Sequence, residues 1–246
     1  RSAVMNTAMT TSGTIQGGNG SAGGVGAFGP GTGDSGDWGT GGRGGNGGMG
    51  GGALSLAGTT TVTNSGGLQG GAGGAGGAGG LNSRSQANLP GNDGAGGVAL
   101  GFSAGSSTVI NSGTIVGGLA GGSAGGSGVR ANAIAFTGSG NRLELRGGSV
   151  ILGNVVVSGS GANNTLVLGG GADGSFDVSG IGSRYQGFDT YLKTDAGVWT
   201  LTGTSTAQTP WMILAGTVKV SQNENLGLGL LTLSGGKLLS TASFLN

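Results

Sequence analysis

The chain has 246 residues, of which 67 are Gly and 3 are Pro, and it contains neither Cys nor His. Ten basic and nine acidic residues leave a formal net charge of +1, which argues against nucleic acid or an anionic membrane surface as a partner. The absence of Cys excludes disulfides and thiolate metal sites, and no apolar run reaches the roughly 18 residues of a membrane helix.

One phrase, Asn-Ser-Gly-Thr-Ile or a close variant, occurs three times in the first half of the chain. The copies lie at residues 11–18, 64–71 and 111–118. Each runs directly into a glycine-rich stretch, and these stretches cover 17–52, 70–97 and 117–128. Without the stretches about 20 residues remain between copies, which is the length of one coil of a solenoid. The spacing predicts an all-β parallel β-helix with long glycine-rich loops inserted at one corner.

Strand candidates follow each stretch and then fill the rest of the chain. Residues 1–136 are expected to form β-helix coils that carry the three insertions, and residues 137–246 to form regular coils. The clusters in the second part are mostly three or four residues long, separated by the turn formers Gly, Ser, Asn and Asp. Because equivalent residues of parallel coils stack, Asn64 above Asn111 is the predicted polar ladder.

The glycine-rich stretches repeat with a period of three. Glycine recurs at every third position from 17 to 29 and, after a change of phase, from 33 to 51. A period of three with an extended backbone is the polyproline-II geometry, and the scarcity of Pro excludes collagen. Ordering each glycine costs about 1–2 kcal/mol, while a shared hydrogen bond returns about 1 kcal/mol. Both a packed polyglycine layer and mobile loops therefore stay open.

Large side chains inside these stretches are the candidate surface contacts. They are Phe28, Trp38, Arg43 and Met49 in the first stretch and Arg84 in the second. Bulky residues on projecting loops are candidates for binding a partner. The alternative is that they pin the loops onto the solenoid.

Three serine phrases resemble hydrolase motifs, at residues 33–37, 101–105 and 121–125. A chain without His has no imidazole to take the serine proton, so none of them makes a Ser-His-Asp triad. In a chain this rich in Gly and Ser, such patterns arise by chance. We therefore predict no catalytic residues and no enzymatic activity.

Two pairs of aspartates offer oxygen ligands for calcium, namely Asp34 with Asp37 and Asp173 with Asp177. Neither pair belongs to the tandem nonapeptide repeats that make calcium β-roll sites convincing. Solvated carboxylates in turns are the favoured interpretation. No metal site and no cofactor are predicted.

Six aromatic residues are concentrated in the second part of the chain. They are Phe176, Tyr185, Phe188, Tyr191, Trp199 and Trp211. A dense stretch of solenoid core is favoured over a ligand platform, because aromatic side chains dominate core packing.

The last hundred residues resemble the passenger domains of bacterial autotransporters (type Va secretion). The resemblance lies in phrases such as Gly-Asn-Val-Val-Val-Ser-Gly at 153–159 and Asn-Thr-Leu-Val-Leu-Gly-Gly at 164–170. Residues 214–220 and 231–238 look like the passenger-associated transport repeat. This resemblance implies a right-handed parallel β-helix, translocated through an outer-membrane β-barrel that is not present in this chain. The product would be displayed on the bacterial cell surface or secreted.

The function that follows is adhesion, as a non-enzymatic virulence factor. The expected partner is a host cell-surface or matrix component, or a neighbouring cell through self-association. Two alternatives share the same fold: a secreted effector that acts as a toxin-like ligand of a host receptor, and a structural stalk and folding nucleus for translocation. No nucleic acid is expected as a partner.

Overall fold

The computed structural model describes residues 7–30, 39–121, 128–159 and 161–242. They form short β-strands and two single turns of 3-10 helix, η1 (Val178–Gly180) and η2 (Asn223–Asn225). The strands are β1 (Thr7–Thr11), β2 (Thr14–Gln16), β3 (Leu54–Leu56), β4 (Thr60–Asn64), β5 (Gly67–Gln69), β6 (Leu100–Phe102), β7 (Thr108–Asn111), β8 (Thr114–Val116), β9 (Ile134–Thr137), β10 (Arg142–Leu145), β11 (Val150–Leu152), β12 (Val155–Ser158), β13 (Thr165–Leu168), β14 (Gly174–Asp177), β15 (Tyr185–Gln186), β16 (Thr190–Lys193), β17 (Val198–Thr202), β18 (Trp211–Ile213), β19 (Thr217–Val220), β20 (Thr232–Leu233) and β21 (Lys237–Ser240).

Neighbouring strands within each sheet are parallel and come from successive coils. The first face is one eight-stranded sheet in the order β1-β4-β7-β10-β13-β16-β18-β20. The second face consists of two separate four-stranded sheets, β2-β5-β8-β11 and β14-β17-β19-β21. The third face is the five-stranded sheet β3-β6-β9-β12-β15. The predicted all-β parallel β-helix is confirmed.

The core consists of columns of inward side chains, one residue from each coil. Because strand side chains alternate between faces, an in-register parallel stack places apolar residues directly above one another. One column on the first face contains six successive residues that are each at most 2% exposed: Val62, Val109, Leu143, Leu166, Tyr191 and Trp211. The column widens from aliphatic to aromatic residues toward the C-terminal coils.

A polar ladder lies beside this column, at the corner between the first and second faces. The Thr11 hydroxyl donates to Asn64 Oδ1 at 2.7 Å, and Asn64 Nδ2 donates to Asn111 Oδ1 at 2.7 Å. Both asparagines are fully buried, so their amides need these partners. The predicted stacking of Asn64 on Asn111 is confirmed.

The aromatic residues of the second part are buried, which confirms the core interpretation. Phe176 packs against Tyr185 with ring centroids 5.1 Å apart, and Tyr191 against Trp211 at 5.4 Å. Burial, with a smaller contribution from the charge of Asp189, raises the pKa of Tyr191 to about 12. The Tyr191 hydroxyl donates to the Phe188 carbonyl at 3.1 Å.

The glycine-rich stretches all leave the solenoid at one corner. β2, β5 and β8 are adjacent in one sheet and end at Gln16, Gln69 and Val116, which lie side by side. Each stretch begins at the next residue and returns to the adjacent strands β3, β6 and β9 of the third face. The glycine-rich insertions therefore lie at one corner, as their spacing predicted.

Candidate interaction surface

The glycine-rich stretches form an ordered layer that stands beside the solenoid. Three outgoing segments, 17–29, 70–81 and 117–121, leave the second face, and two return segments, 41–52 and 88–97, lead back to the third face. We call these five segments the glycine layer. None of their glycines has a φ in the left-handed region, and their hydrogen bonds run between segments and not along one segment, as in an extended backbone.

The outgoing segments run parallel to one another and are joined by a hydrogen bond at every third residue. Gly17, Gly20, Gly23, Gly26 and Gly29 donate to the carbonyls of residues 69, 72, 75, 78 and 81 at 2.7–3.1 Å. Gly70 and Gly73 donate in turn to residues 116 and 119 at 2.8 Å. The glycine period read from the sequence is thus the hydrogen-bond period of the layer.

The return segments nest in the grooves between outgoing segments and run antiparallel to them. Gly45 donates to the Gly24 carbonyl at 2.7 Å, and Gly77 donates to the Gly45 carbonyl at 2.8 Å. Residues 88–97 bond in the same way to the other side of segment 70–81. Segment 70–81 therefore has hydrogen-bonded neighbours on four sides, which is the packing of polyglycine and not of a β-sheet.

Close backbone approach makes glycine obligatory at the contact positions. A Cβ placed on Gly74 would lie 1.8 Å from the Ser21 carbonyl oxygen, and one on Gly44 would lie 1.9 Å from that of Gly77. Such distances are far below van der Waals contact. By contrast, a Cβ on Gly18 or Gly24, at the outer edge, would meet nothing within 4 Å. The layer thus settles the open alternative in favour of packed segments.

Side chains project from the layer in straight rows, because a polyproline-II-type chain repeats every three residues over about 9 Å. The edge row runs along the first outgoing segment and consists of Asn19, Ala22, Val25 and Phe28, all exposed. The return row runs along the first return segment and consists of Arg43, Asn46 and Met49, also exposed.

The sequence-predicted contact residues are distributed over these rows and the adjoining turn. Phe28 is 61% exposed and Met49 is 76% exposed, so neither is pinned onto the solenoid. Arg43 Nη2 donates to Asn92 Oδ1 at 3.2 Å and its Nε to the Pro90 carbonyl at 3.4 Å, which ties the two return segments together.

Arg84 lies in the turn between the second outgoing and return segments. Its backbone N–H donates to Asn82 Oδ1 at 2.9 Å, and its side chain is exposed. Trp38 lies outside the described residues. The structure therefore places Phe28, Arg43 and Met49 on the same layer and Arg84 at its end.

Asparagine and aspartate side chains accept hydrogen bonds from backbone N–H groups of the layer. This role was not predicted from the sequence. Asn19 Oδ1 accepts from Ala72 N at 2.9 Å, and Asn46 Oδ1 accepts from Asn92 N at 2.9 Å. Asp93 Oδ1 accepts from Gly76 N at 2.8 Å. The sequence did contain a signal for this role, because Asn and Asp interrupt the glycine runs only at positions where the layer has room for a side chain.

The residues considered for chemistry serve as turn acceptors and donors. Asp173 Oδ1 accepts from Val198 N at 2.8 Å, and Asp177 Oδ1 accepts from both the N–H and the hydroxyl of Ser179. The Ser103 hydroxyl donates to the carbonyls of the preceding coil. Asp34 and Asp37 lie outside the described residues. Within the described ranges no three His, Cys, Asp or Glu side chains are grouped as metal ligands.

Charge at the surface of the glycine layer is sparse, so shape and apolar area dominate what the layer can bind.

No helix in the described part of the chain is long and apolar enough to cross a membrane. Comparison with protein-family models, curated proteins and solved structures finds no match for this chain.

Proposed function

We propose that this chain is a non-enzymatic, extracellular adhesion module that uses the glycine layer as its contact surface. On the autotransporter resemblance, the solenoid is the passenger displayed on a bacterial surface. The partner is a host cell-surface or matrix component, or the same module on a neighbouring cell.

The observation that carries the proposal is a hydrogen-bonded layer with exposed side chains in rows, which include the apolar residues Val25, Phe28 and Met49. A mobile glycine loop would lose about 1–2 kcal/mol per residue on becoming ordered against a partner. In the layer the backbone is already ordered by hydrogen bonds between segments, for example Gly23 N to Ala75 O at 2.7 Å. Phe28 and Met49 therefore reach a partner without that entropic cost.

The rows also favour repeated weak contacts over a single deep pocket. Residues such as Val25 and Phe28 are three positions apart on the edge row, hence about 9 Å apart along it. A partner with a repeating surface, such as a matrix fibre or an identical layer, would engage several of these positions together. Linked weak contacts raise the overall avidity well above that of each contact.

The proposal is tested by the double variant Phe28→Ser with Met49→Ser, assayed for binding of the purified chain to host cells and matrix. We expect binding to fall about tenfold or more, because each buried apolar anchor contributes about 1.5–3 kcal/mol. Leu230→Ser is the matched control, since Leu230 is 75% exposed but belongs to the solenoid.

Equal binding by the double variant and the control would refute the layer as the contact surface. Signalling elicited by the soluble chain without adhesion would favour the effector alternative. If the double variant lost surface display but bound normally as a purified chain, the role of stalk and folding nucleus would be favoured.

A further inference from the structure

The second face of the solenoid is interrupted between β11 and β14, although the coils that carry them are in contact elsewhere. On the first face these coils pair Leu143 with Leu166, and on the third face they pair Val155 with Tyr185. On the second face β11 pairs only with β8, and β14 only with β17. The interruption is therefore local to one face.

Unequal chain lengths account for the interruption. The two coils touch at one corner, where a Cβ on Gly147 would lie 2.6 Å from the Asp173 carbonyl oxygen. They touch again at the next corner, where Val155 N donates to the Arg184 carbonyl at 2.8 Å. Between these contacts one coil advances eight positions and the other eleven, with η1 in the longer one. With three more residues in one path than in the other, β11 and β14 do not pair, and a slit lies between them.

The slit is a cavity of about 600 Å³ that reaches the core, within the usual size range of ligand pockets. Its lining includes the side chains of Ile151, Phe176 and Trp199, each at most 5% exposed, together with polar ones such as Asp177 and Arg184. At the rim, Val150 is 44% exposed and Leu152 is 45% exposed. An apolar group that enters between the strands thus meets Val150 and Leu152 at the rim and approaches Phe176 and Trp199, while the rest of the lining is polar.

Both walls of the slit are open strand edges. Val150 N donates to the Gly113 carbonyl, and the Leu152 carbonyl accepts from Gly117 N, so both residues point their polar backbone groups toward β8. Since successive residues of a strand point to opposite sides, the N–H and C=O of Ile151 point into the slit. In the described part of the chain no strand pairs with that side of β11. An open edge is a template for an added strand.

From these features we infer that the slit binds an extended peptide segment of a partner protein, which adds as a strand along β11. Backbone hydrogen bonds to Ile151 hold the segment, and one large apolar side chain inserts toward Phe176 and Trp199. The exposed Ser175 hydroxyl lines the slit and favours a small polar residue next to the apolar one, whereas the Ser149 hydroxyl accepts from Asn111 Nδ2 at 2.6 Å. This site is separate from the glycine layer and does not depend on its proposed function.

The direct test is fluorescence polarisation with the full chain and labelled, end-capped peptides of sequence Thr-Ser-Thr-X-Thr-Ser-Thr. With X as Phe we expect saturable binding, about tenfold or more tighter than with X as Ala, because of the apolar lining. Methylation of the two backbone amides that flank X should weaken binding about tenfold or more, because it blocks strand pairing. Equal binding by the methylated peptide, or none by the Phe peptide, would overturn the inference.

Two protein variants locate the site. Ser175→Trp adds a bulky side chain at the exposed rim of the slit and should reduce binding of the Phe peptide at least about tenfold. Thr217→Trp is the matched control, because Thr217 lies on β19, two strands away from the slit, and should bind like the original chain. Equal binding by both variants would place the peptide elsewhere. The Phe28→Ser with Met49→Ser variant should bind the peptide normally, so the two proposals fail independently.

Discussion

Alanine at Gly23 is expected to open the glycine layer, whereas alanine at the neighbouring Gly24 is expected to leave it closed. Both residues belong to the first outgoing segment, and neither has a φ in the left-handed region. A Cβ on Gly23 would lie 1.9 Å from the Gly45 carbonyl oxygen, whereas one on Gly24 would meet nothing within 4 Å. The pair thus separates packing from the intrinsic effect of replacing a glycine.

The magnitude follows from the hydrogen bonds around the clash. Relief of the contact requires a displacement of about 1.5 Å, from 1.9 Å to the 3.4 Å of ordinary contact. That movement breaks the bonds Gly23 N to Ala75 O, Gly77 N to Gly45 O and Gly45 N to Gly24 O. At about 0.5–1.5 kcal/mol each, local stability falls by about 3 kcal/mol. Gly24→Ala should instead stabilise by about 0.4–1 kcal/mol, because it restricts the unfolded chain.

Hydrogen exchange followed by mass spectrometry is the appropriate assay, since it reports local opening. In Gly23→Ala we expect amides of segments 17–29, 41–52 and 70–81 to exchange about 100-fold faster than in the original chain. In Gly24→Ala their exchange should be unchanged or slower. Equal acceleration in the two variants, or none in Gly23→Ala, would refute the packed layer. If rigid presentation matters for adhesion, only Gly23→Ala should also weaken cell binding.

Two further predictions concern the solenoid. Asn111→Ala removes the Oδ1 atom that accepts from the buried Asn64 Nδ2. It should lower the free energy of unfolding, measured in urea, by about 1–3 kcal/mol. The control is Asn223→Ala, at an exposed residue, which should change that free energy by less than about 0.5 kcal/mol. The Tyr191 hydroxyl has a pKa of about 12 in the folded chain and of 10.0 in the unfolded chain. Its contribution to the free energy of unfolding is therefore complete below pH 10 and is lost between pH 10 and pH 12. Tyr191→Phe should flatten the fall in unfolding free energy over that window, and an identical slope in both chains would contradict the assigned pKa shift.

Sequence reasoning reached the solenoid because its signals are local and repeated. The recurrence of one phrase and the near-constant coil length located all three insertions at one corner, and Asn64 and Asn111 occupy equivalent places in that phrase. Burial of the aromatic cluster followed from side-chain size alone. The second ladder, in which Asn141 Nδ2 donates to Asn164 Oδ1 at 3.1 Å, was missed because no shared phrase surrounds these residues.

The candidate surface was only partly accessible to the same reasoning. Exposure of Phe28 and Met49 followed from their place in projecting stretches, but their alignment into rows depends on which segments pack together. For Arg43 the sequence left open a surface contact or a residue that pins the loop onto the solenoid; in the structure it is exposed and ties the two return segments by its bond to Asn92. The slit beside β11 was not foreseen, because it arises from a length difference between two coils and has no motif of its own.

The sequence by itself determined the coil repeat, the corner of insertion and the glycine period, since each is a spacing along one chain. Tertiary structure alone decided whether the glycines pack. A carbonyl 1.9 Å from the Cβ position of Gly23 belongs to a residue 22 positions away, and its partner segment 70–81 lies still further along the chain. Only the fold brings these backbones within hydrogen-bond distance, and only there does the absence of a side chain become stabilising.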